Sequence, residues 1–245
     1  MNRTPEPPSQ PGGRIVALDT FRGFTILSMV AFHTTYDLAY IYGMNMTWFT
    51  DGIFQEVWRS SISWVFLMLA GWMTALSRNN VKRGVVYAIS AIAVWAATSI
   101  AAVDTPVTFG ILFCMAASTL LWAAIERIGG NRLDRVPYAA VVLLALAFVM
   151  TRGVPHVRYA ISGLAWFGFP SPDFASGDYY PLIPFALLYF SSACAARRWK
   201  VAGKPCPAWA RRDWCKPLSV IGRYSLPIYL LHQPIVLVVL NAALD

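Results

Sequence analysis

The sequence predicts an all-α fold, a polytopic membrane helix bundle of about seven transmembrane helices, with six to eight as the range. Of its 245 residues, 57% are hydrophobic and only 13% are charged, and the mean hydropathy is +0.51. Soluble domains are about 45–50% apolar and about 25% charged. Both departures indicate a bilayer as solvent, so we expect a single membrane domain over residues 14–245. The polar, Pro- and Gly-rich residues 1–13 are expected to be a disordered lead.

Seven segments approach the length of about 20 apolar residues that a membrane-spanning helix needs. They are predicted at 23–42, 57–76, 84–103, 107–126, 136–151, 180–196 and 218–241. The fifth is short but free of charge. The seventh contains Pro227 and Pro234, which remove backbone donors and are expected to bend it. A further apolar stretch, 159–170, is too short to span and is predicted to be re-entrant or interfacial.

The distribution of positive charge supports this count and gives an orientation, because Lys and Arg gather on cytoplasmic loops. With a cytoplasmic N-terminus and seven spans, all but three of the 20 Lys and Arg residues fall on the cytoplasmic side; the exceptions are Arg59, Arg152 and Arg158. Topology and attraction to anionic membrane lipid therefore explain the net charge of +8 without a nucleic-acid partner. We expect a multi-pass protein of the inner (cytoplasmic) membrane, and the sequence leaves a homo-oligomer open.

Asp19 and Arg22 precede the first predicted span, and His33 and Asp37 lie inside it, at successive spacings of 3, 11 and 4 residues. Eleven residues are almost three full turns, so these side chains share one face if the helix begins before Arg22. His33 would then lie roughly 16 Å deeper than Arg22, near the middle of the bilayer. Ionisable groups at that depth are expensive and usually functional. Asp37, one turn beyond, is predicted to hold the imidazole of His33 in one tautomer.

The last predicted helix has a matching feature, because Ser225, Tyr229 and His232 share a face. His232 is ten residues past Gly222, or about 15 Å from the cytoplasmic side. Two histidines at similar depth predict a shared central site. The alternative is that each histidine hydrogen-bonds a neighbouring helix without chemistry.

Three further features bear on the site. Arg59 lies near a span on the outer side, where it either extends to water or binds a polar acceptor. Asp178 is an outer-loop carboxylate, of a kind that is usually solvated. Cys206 and Cys215 stand nine residues apart without histidine partners, a spacing that is not typical of zinc ligands. We therefore expect no metal.

Five motifs carry a resemblance to a known family over about residues 14–240. They are 14-RIVALDTFRGFTILSMVAFHTTYDL-38, 63-SWVFLMLAG-71, 108-TFGIL-112, 178-DYYPLIPF-185 and 222-GRYSLPIYLLHQPI-235. Together they resemble the bacterial branch of the heparan-alpha-glucosaminide N-acetyltransferase catalytic-domain family, within a wider superfamily of membrane acyltransferases. The first and last motifs are the most specific.

The resemblance implies an acetyl- or acyltransferase that takes its acyl group from cytosolic acetyl-CoA (acyl-CoA) and passes it to a sugar or glycan acceptor. For this chain an envelope glycan is the expected acceptor. Animal members have their catalytic histidine in a loop after the first family helix, and the corresponding stretch 44–52 has none. Also, 110-GILF-113 stands where the family often has a histidine.

Roles follow from the resemblance for ten residues. Arg14, Asp19, Arg22 and Arg223 are assigned to the donor site, where the arginines would hold CoA phosphates. His33 is the expected general base, with Asp37 orienting it and His232 stabilising an oxyanion or relaying a proton. The predicted acceptor-binding residues are Arg59, Asp178 and Tyr229.

Two other functions use the same polar residues. A non-catalytic membrane carrier or glycan- or lipid-binding accessory protein would have the His/Asp cavity without thioester turnover. A proton-coupled channel or relay through His33, Asp37 and His232 would show pH-dependent conductance. The residues alone leave both open, and the family resemblance favours the acyltransferase.

Overall fold

The computed structural model describes residues 14–101 and 105–244, and every regular element in these ranges is helical. The prediction for residues 1–13 lies outside the described residues, as does the end of the third predicted span. Ten α-helices are described: α1 (Val16–Tyr40), α2 (Thr47–Thr50), α3 (Gly52–Trp72), α4 (Asn80–Ala101), α5 (Ile111–Gly129), α6 (Tyr138–Thr151), α7 (Leu182–Val201), α8 (Ala208–Arg211), α9 (Lys216–Arg223) and α10 (Ser225–Leu244).

Four regions of the described chain are long and apolar enough to cross a membrane: Asn80–Ala101, Ile111–Arg135, Tyr138–His156 and Ser225–Leu244. They correspond to α4, α5, α6 and α10. Helices α1, α3 and α7 coincide with three other predicted spans and contain charged residues. The all-α prediction is therefore confirmed, and the count of seven membrane crossings stays a prediction.

Helix α3 has a central position in the bundle. It packs against α1 on one side and α7 on the other, and α7 in turn contacts α5 and α6, while α4 lies against α5. Buried side chains of α3, α5 and α7, such as Leu67, Cys114 and Tyr189, form the larger core cluster. A second cluster around Ile26 and Phe49 lies between α1, α2 and α3. The polar face of α1 is therefore held against the rest of the bundle.

Helix α1 begins at Val16, so Asp19 and Arg22 belong to the same helix as His33 and Asp37. This is the condition under which their spacing puts them on one face. Asp19 and Asp37 are buried, and Ile26 between them has no exposed surface. The predicted polar face of α1 therefore points into the protein.

The predicted span 218–241 is not one helix, which corrects the sequence analysis. Helix α9 ends at Arg223, Tyr224 has non-helical dihedral angles (φ −99°, ψ 19°), and α10 begins at Ser225. Pro227 explains the break, because it has no N–H for the carbonyl of Arg223 and its ring would clash with that carbonyl in a continuous helix. Pro234, by contrast, lies inside α10.

The contact between α1 and α9 is unusually close. A Cβ atom added to Gly23 would lie 1.9 Å from the carbonyl oxygen of Leu218, and one added to Gly222 would lie 1.9 Å from that of Asp19. No side chain fits at such distances, so the two glycines let the helix backbones touch. This contact holds α9 against the part of α1 that carries Asp19 and Arg22.

The stretch 159–170 is an irregular loop in the structure. Its backbone carbonyls at Trp166 and Phe167 accept hydrogen bonds from the N–H groups of Leu182 and Ile183, at 3.1 and 2.8 Å. The loop therefore covers the beginning of α7. Whether it enters a membrane stays a prediction.

Candidate functional site

The imidazole rings of His33 and His232 lie side by side between α1 and α10. Their centroids are 4.9 Å apart and their planes are tilted by 55°. The predicted proximity of the two histidines is present in the structure. Their catalytic roles stay predictions.

A backbone carbonyl fixes the tautomer of His232. Nδ1 of His232 lies 2.6 Å from the carbonyl oxygen of Tyr229. A carbonyl can only accept, so Nδ1 carries the proton, and Nε2 of the neutral ring is an acceptor. Nε2 is buried and has no partner among the described residues. Neutral His232 can therefore take up a proton at Nε2 but cannot donate a hydrogen bond from it to an oxyanion.

Asp37 is paired with Gln233 in the structure, and no hydrogen bond joins it to His33 among the described residues, so its predicted role in orienting His33 stays a prediction. Its two carboxylate oxygens accept from Nε2 of Gln233 on α10, at 3.0 and 2.9 Å. Asp37 is only 2% exposed, so its carboxylate needs a hydrogen-bond donor from the protein, and the amide of Gln233 is that donor. The Asp37–Gln233 pair therefore joins α1 to α10 next to the two histidines.

A cavity of about 170 Å³ lies between α1, α3, α4, α5 and the start of α10. Most of its lining is apolar, and its polar and charged lining residues are Arg22, Arg83, Tyr87, Ser225 and Tyr229. None of the described residues that line it carries a carboxylate. On a comparable measure a single water needs about 10–15 Å³. The cavity therefore has room for part of a ligand and presents it with positive charge.

The four residues assigned to the donor site have different positions. Arg22 lines the cavity and its Nη1 lies 3.5 Å from Oδ1 of Asp19. Asp19 also accepts a 2.6 Å hydrogen bond from Nε of Arg14, which raises the pKa of Arg14. The carboxylate of Asp19 thus pairs with two arginines. Arg223 is exposed at the end of α9. Of the four, only Arg22 lies on the cavity.

On the side predicted to face outward, a group of charged and phenolic side chains surrounds Asp178. Asp178 accepts a 3.2 Å hydrogen bond from the N–H of Ile111. Burial raises its pKa from 3.8 to about 6, although this N–H and the nearby Arg59 both lower it. Arg59 itself forms an ion pair with Glu56. The predicted acceptor residues Arg59 and Asp178 are therefore neighbours, and Asp178 is not simply solvated.

Tyr229 connects the three polar regions. It lines the cavity that contains Arg22, and its ring centroid is 5.8 Å from that of His232. It also lies within electrostatic range of Asp178 and Tyr180. Tyr229 thus lies on the cavity that contains Arg22 and Arg83, beside His232, and is influenced by the charge of Asp178.

Sequence reasoning missed two residues of this region. Arg83 was counted only as a cytoplasmic loop charge, and no pattern in the sequence shows that it turns into the cavity. Gln233 was missed because a search for ionisable groups passes over an amide. Its position beside His232, in the motif 222–235, was the available signal.

The fold and the site define a helical integral membrane protein with a charged cavity and a histidine pair inside the bundle. The sequence model of the heparan-alpha-glucosaminide N-acetyltransferase catalytic family matches residues 14–234. The chain therefore belongs to this family of membrane acetyltransferases. Comparison with curated proteins and with solved structures gives no significant match.

Proposed function

We propose that the protein transfers an acyl group within the membrane, from acetyl-CoA or another acyl-CoA to a sugar or envelope-glycan acceptor. The observation that carries this proposal is the position of Tyr229, between a cavity lined by arginine, a histidine pair and a separate group around Asp178. A donor and an acceptor that reach the reaction from opposite sides need such an arrangement. Family membership supports the reaction class.

The orientation follows from the charge pattern of the loops. We infer seven membrane crossings, a cytoplasmic N-terminus and location in the inner membrane. The seventh crossing would combine α9 and α10. In this orientation Arg22 and Arg83 are on the cytosolic side, where acyl-CoA is available, and Arg59 and Asp178 are on the far side, where envelope glycans are found.

The donor would enter at the arginines. Arg22 is inside the cavity, and Arg14 and Arg223 near its cytoplasmic side can meet the CoA phosphates by charge-assisted hydrogen bonds. The cavity is too small for the whole of CoA, so the extended pantetheine arm would carry the thioester along α1. Arg22 and His33 are eleven residues apart, about 16 Å along the helix. This distance suits an extended arm.

The acceptor would approach from the side of Asp178. A sugar hydroxyl or amine can donate to the carboxylate of Asp178, and Arg59 and Tyr229 can bind its other oxygens. The nucleophile would then meet the thioester near the two histidines.

The chemistry needs one proton acceptor. His33 takes the proton from the acceptor nucleophile as this attacks the thioester carbon, and Nε2 of His232 can receive the same proton in relay. A C–O or C–N bond forms, the C–S bond breaks, and CoA leaves as the thiolate, which takes up the proton. General-base help of this kind contributes about 10²- to 10⁴-fold in rate.

The test uses purified protein in proteoliposomes, with radiolabelled acetyl-CoA and an envelope-glycan extract. We expect label in the glycan, and a loss of about 10²- to 10⁴-fold in His33→Ala. His156→Ala is the matched control, because His156 is exposed outside the site, and it should keep wild-type activity. Wild-type transfer by His33→Ala would overturn the assignment of His33.

A further inference from the structure

Arg83 is a cation that uses only part of its hydrogen-bonding capacity. Its Nη2 donates to the carbonyl oxygen of Ala70 at 2.5 Å and to the hydroxyl of Tyr189 at 3.2 Å. Its Nε and Nη1 are buried and have no hydrogen-bond partner among the described residues, and its guanidinium carbon lies 5.8 Å from the ring centroid of Tyr87. Unpaired buried N–H groups of a charged side chain are costly, so an anion that reached the guanidinium of Arg83 would gain by accepting from them.

The side chain of Arg83 is held in place by a chain of hydrogen bonds. Thr119 donates to the carbonyl of Met115 at 2.6 Å, so its oxygen accepts from the hydroxyl of Tyr189 at 2.7 Å. The oxygen of Tyr189 is thereby free to accept from Arg83. Tyr189 has no exposed surface. The guanidinium is therefore fixed before any ligand arrives, which lowers the entropic cost of binding.

Arg83 shares its cavity with Arg22, and none of the described lining residues is acidic. Arg22 has Asp19 as a counter-ion at 3.5 Å, whereas Arg83 has none in the described part of the chain. The hydroxyl of Ser225, also on the lining, adds a neutral donor. Two guanidinium groups and a hydroxyl are suited to the several oxygens of a diphosphate.

We propose that Arg83 and Arg22 form a buried diphosphate-binding site and that the diphosphate of the acyl donor occupies it. This inference rests on the proposed function, since it assigns the ligand of the same cavity. It adds Arg83 to the donor-binding residues that the sequence predicted, as a second arginine on the cavity beside Arg22.

The experiment measures binding rather than turnover, by calorimetry on purified protein with CoA, pantetheine and inorganic pyrophosphate as probes. In Arg83→Gln the Kd for CoA should rise about tenfold to a hundredfold, the range expected for hydrogen bonds to a charged group. Binding of pantetheine, which has no phosphate, should not change. Lys82→Gln is the matched control: it removes the same charge from an exposed neighbouring position and should bind CoA as the wild type does.

The outcomes separate this inference from the proposed function. If the wild type binds CoA and Arg83→Gln binds it equally well, the diphosphate site is overturned while the acyltransferase stands. If pyrophosphate binds in a manner that depends on Arg83 but CoA does not bind, the anion site is supported and the acyl-CoA donor is overturned. Should Arg83→Gln unfold in detergent, Arg83→Lys carries the test, because it keeps the charge but loses the paired N–H donors. If Arg83→Lys binds CoA with the same affinity as Lys82→Gln, the proposal is overturned.

Discussion

Nδ1 of His232 donates a 2.6 Å hydrogen bond to the backbone carbonyl of Tyr229, three residues earlier on the same helix. This bond fixes which nitrogen carries the proton and turns Nε2 toward the interior as a free acceptor. The proton-accepting capacity of the site is thus set by the backbone of α10 and not by a carboxylate. A histidine oriented in this way is suited to receive a proton during acyl transfer.

The His232→Asn variant tests this role. The amide N–H of asparagine lies close to the position of Nδ1 and can keep the bond to Tyr229, but nothing replaces Nε2. We expect an unchanged melting temperature and a kcat that falls by about 10- to 100-fold, less than for His33→Ala, because a relay is removed and the first base remains. Steady-state kinetics with acetyl-CoA measures it. An unchanged kcat would exclude His232 from the proton transfer.

The Asp37–Gln233 pair should contribute to stability as a unit. Asp37→Leu and Gln233→Leu each leave a buried polar group unpaired. The sum of the two single losses of stability should therefore exceed the loss in the double variant, in which neither polar group is present. In a double-mutant cycle we expect a coupling energy of about 0.5–2 kcal/mol, the scale of interhelical hydrogen bonds in membranes. Unfolding titrations in mixed micelles measure it. Additive effects would show that the two side chains do not depend on each other.

Asp178 should make stability depend on pH. Its pKa is raised from 3.8 to about 6 in the folded protein, so folding favours the neutral carboxyl group. The contribution of Asp178 to stability is therefore greatest below about pH 4, falls between pH 4 and 6, and is constant above. The loss is at most about 3 kcal/mol, at about 1.36 kcal/mol for each pKa unit.

Thermal unfolding at pH 4 to 8, compared between wild type and Asp178→Asn, measures this effect. Asparagine can still accept from the N–H of Ile111 but has no charge. The variant should gain stability relative to the wild type as the pH rises through this window. Parallel curves for the two proteins would contradict the prediction.

Gly222→Ala should separate α9 from α1. The new Cβ would lie 1.9 Å from the carbonyl oxygen of Asp19, so one helix must move, at a cost of about 1–3 kcal/mol or more. The affinity for CoA should fall as well, because Asp19 and Arg22 lie at this contact. Gly52→Ala is the control, since its Cβ would meet no atom within 4 Å. Equal melting temperatures for the two variants would refute the close contact.

The positions of the long helices could be predicted from the sequence, because their length and apolar character are set by the bilayer. The polar face of α1 could also be predicted, since the spacing of Asp19, Arg22, His33 and Asp37 fits only one helix face. The proximity of His33 and His232 followed from their similar depth. These properties depend on residue type, on spacing along each helix and on depth in the membrane.

The hydrogen-bond partners of polar side chains on other helices, and the break before α10, could not be predicted. The sequence suggested only His33 as a partner of Asp37, and only the packing of α10 shows that Gln233 donates to it. In the sequence Arg83 resembles an ordinary loop charge, and only the structure shows its hydrogen bonds with Ala70 and Tyr189. The break at Tyr224 had a local signal in Pro227. A proline can either kink a helix or end it, and the sequence does not distinguish these results. Here the helix ends, and α9 packs closely against α1.

The contact between Gly23 and Gly222 joins the two ends of the chain, and this has a consequence for biosynthesis. At about 5–20 residues per second, α1 leaves the ribosome roughly 10–40 s before α9. During that interval Asp19 and Arg22 are in or near the lipid without the helix that later covers them. The contact of α1 with α9 is therefore formed late in synthesis, and a chain that terminates before α9 would carry both charged residues of α1 into the membrane with no cover.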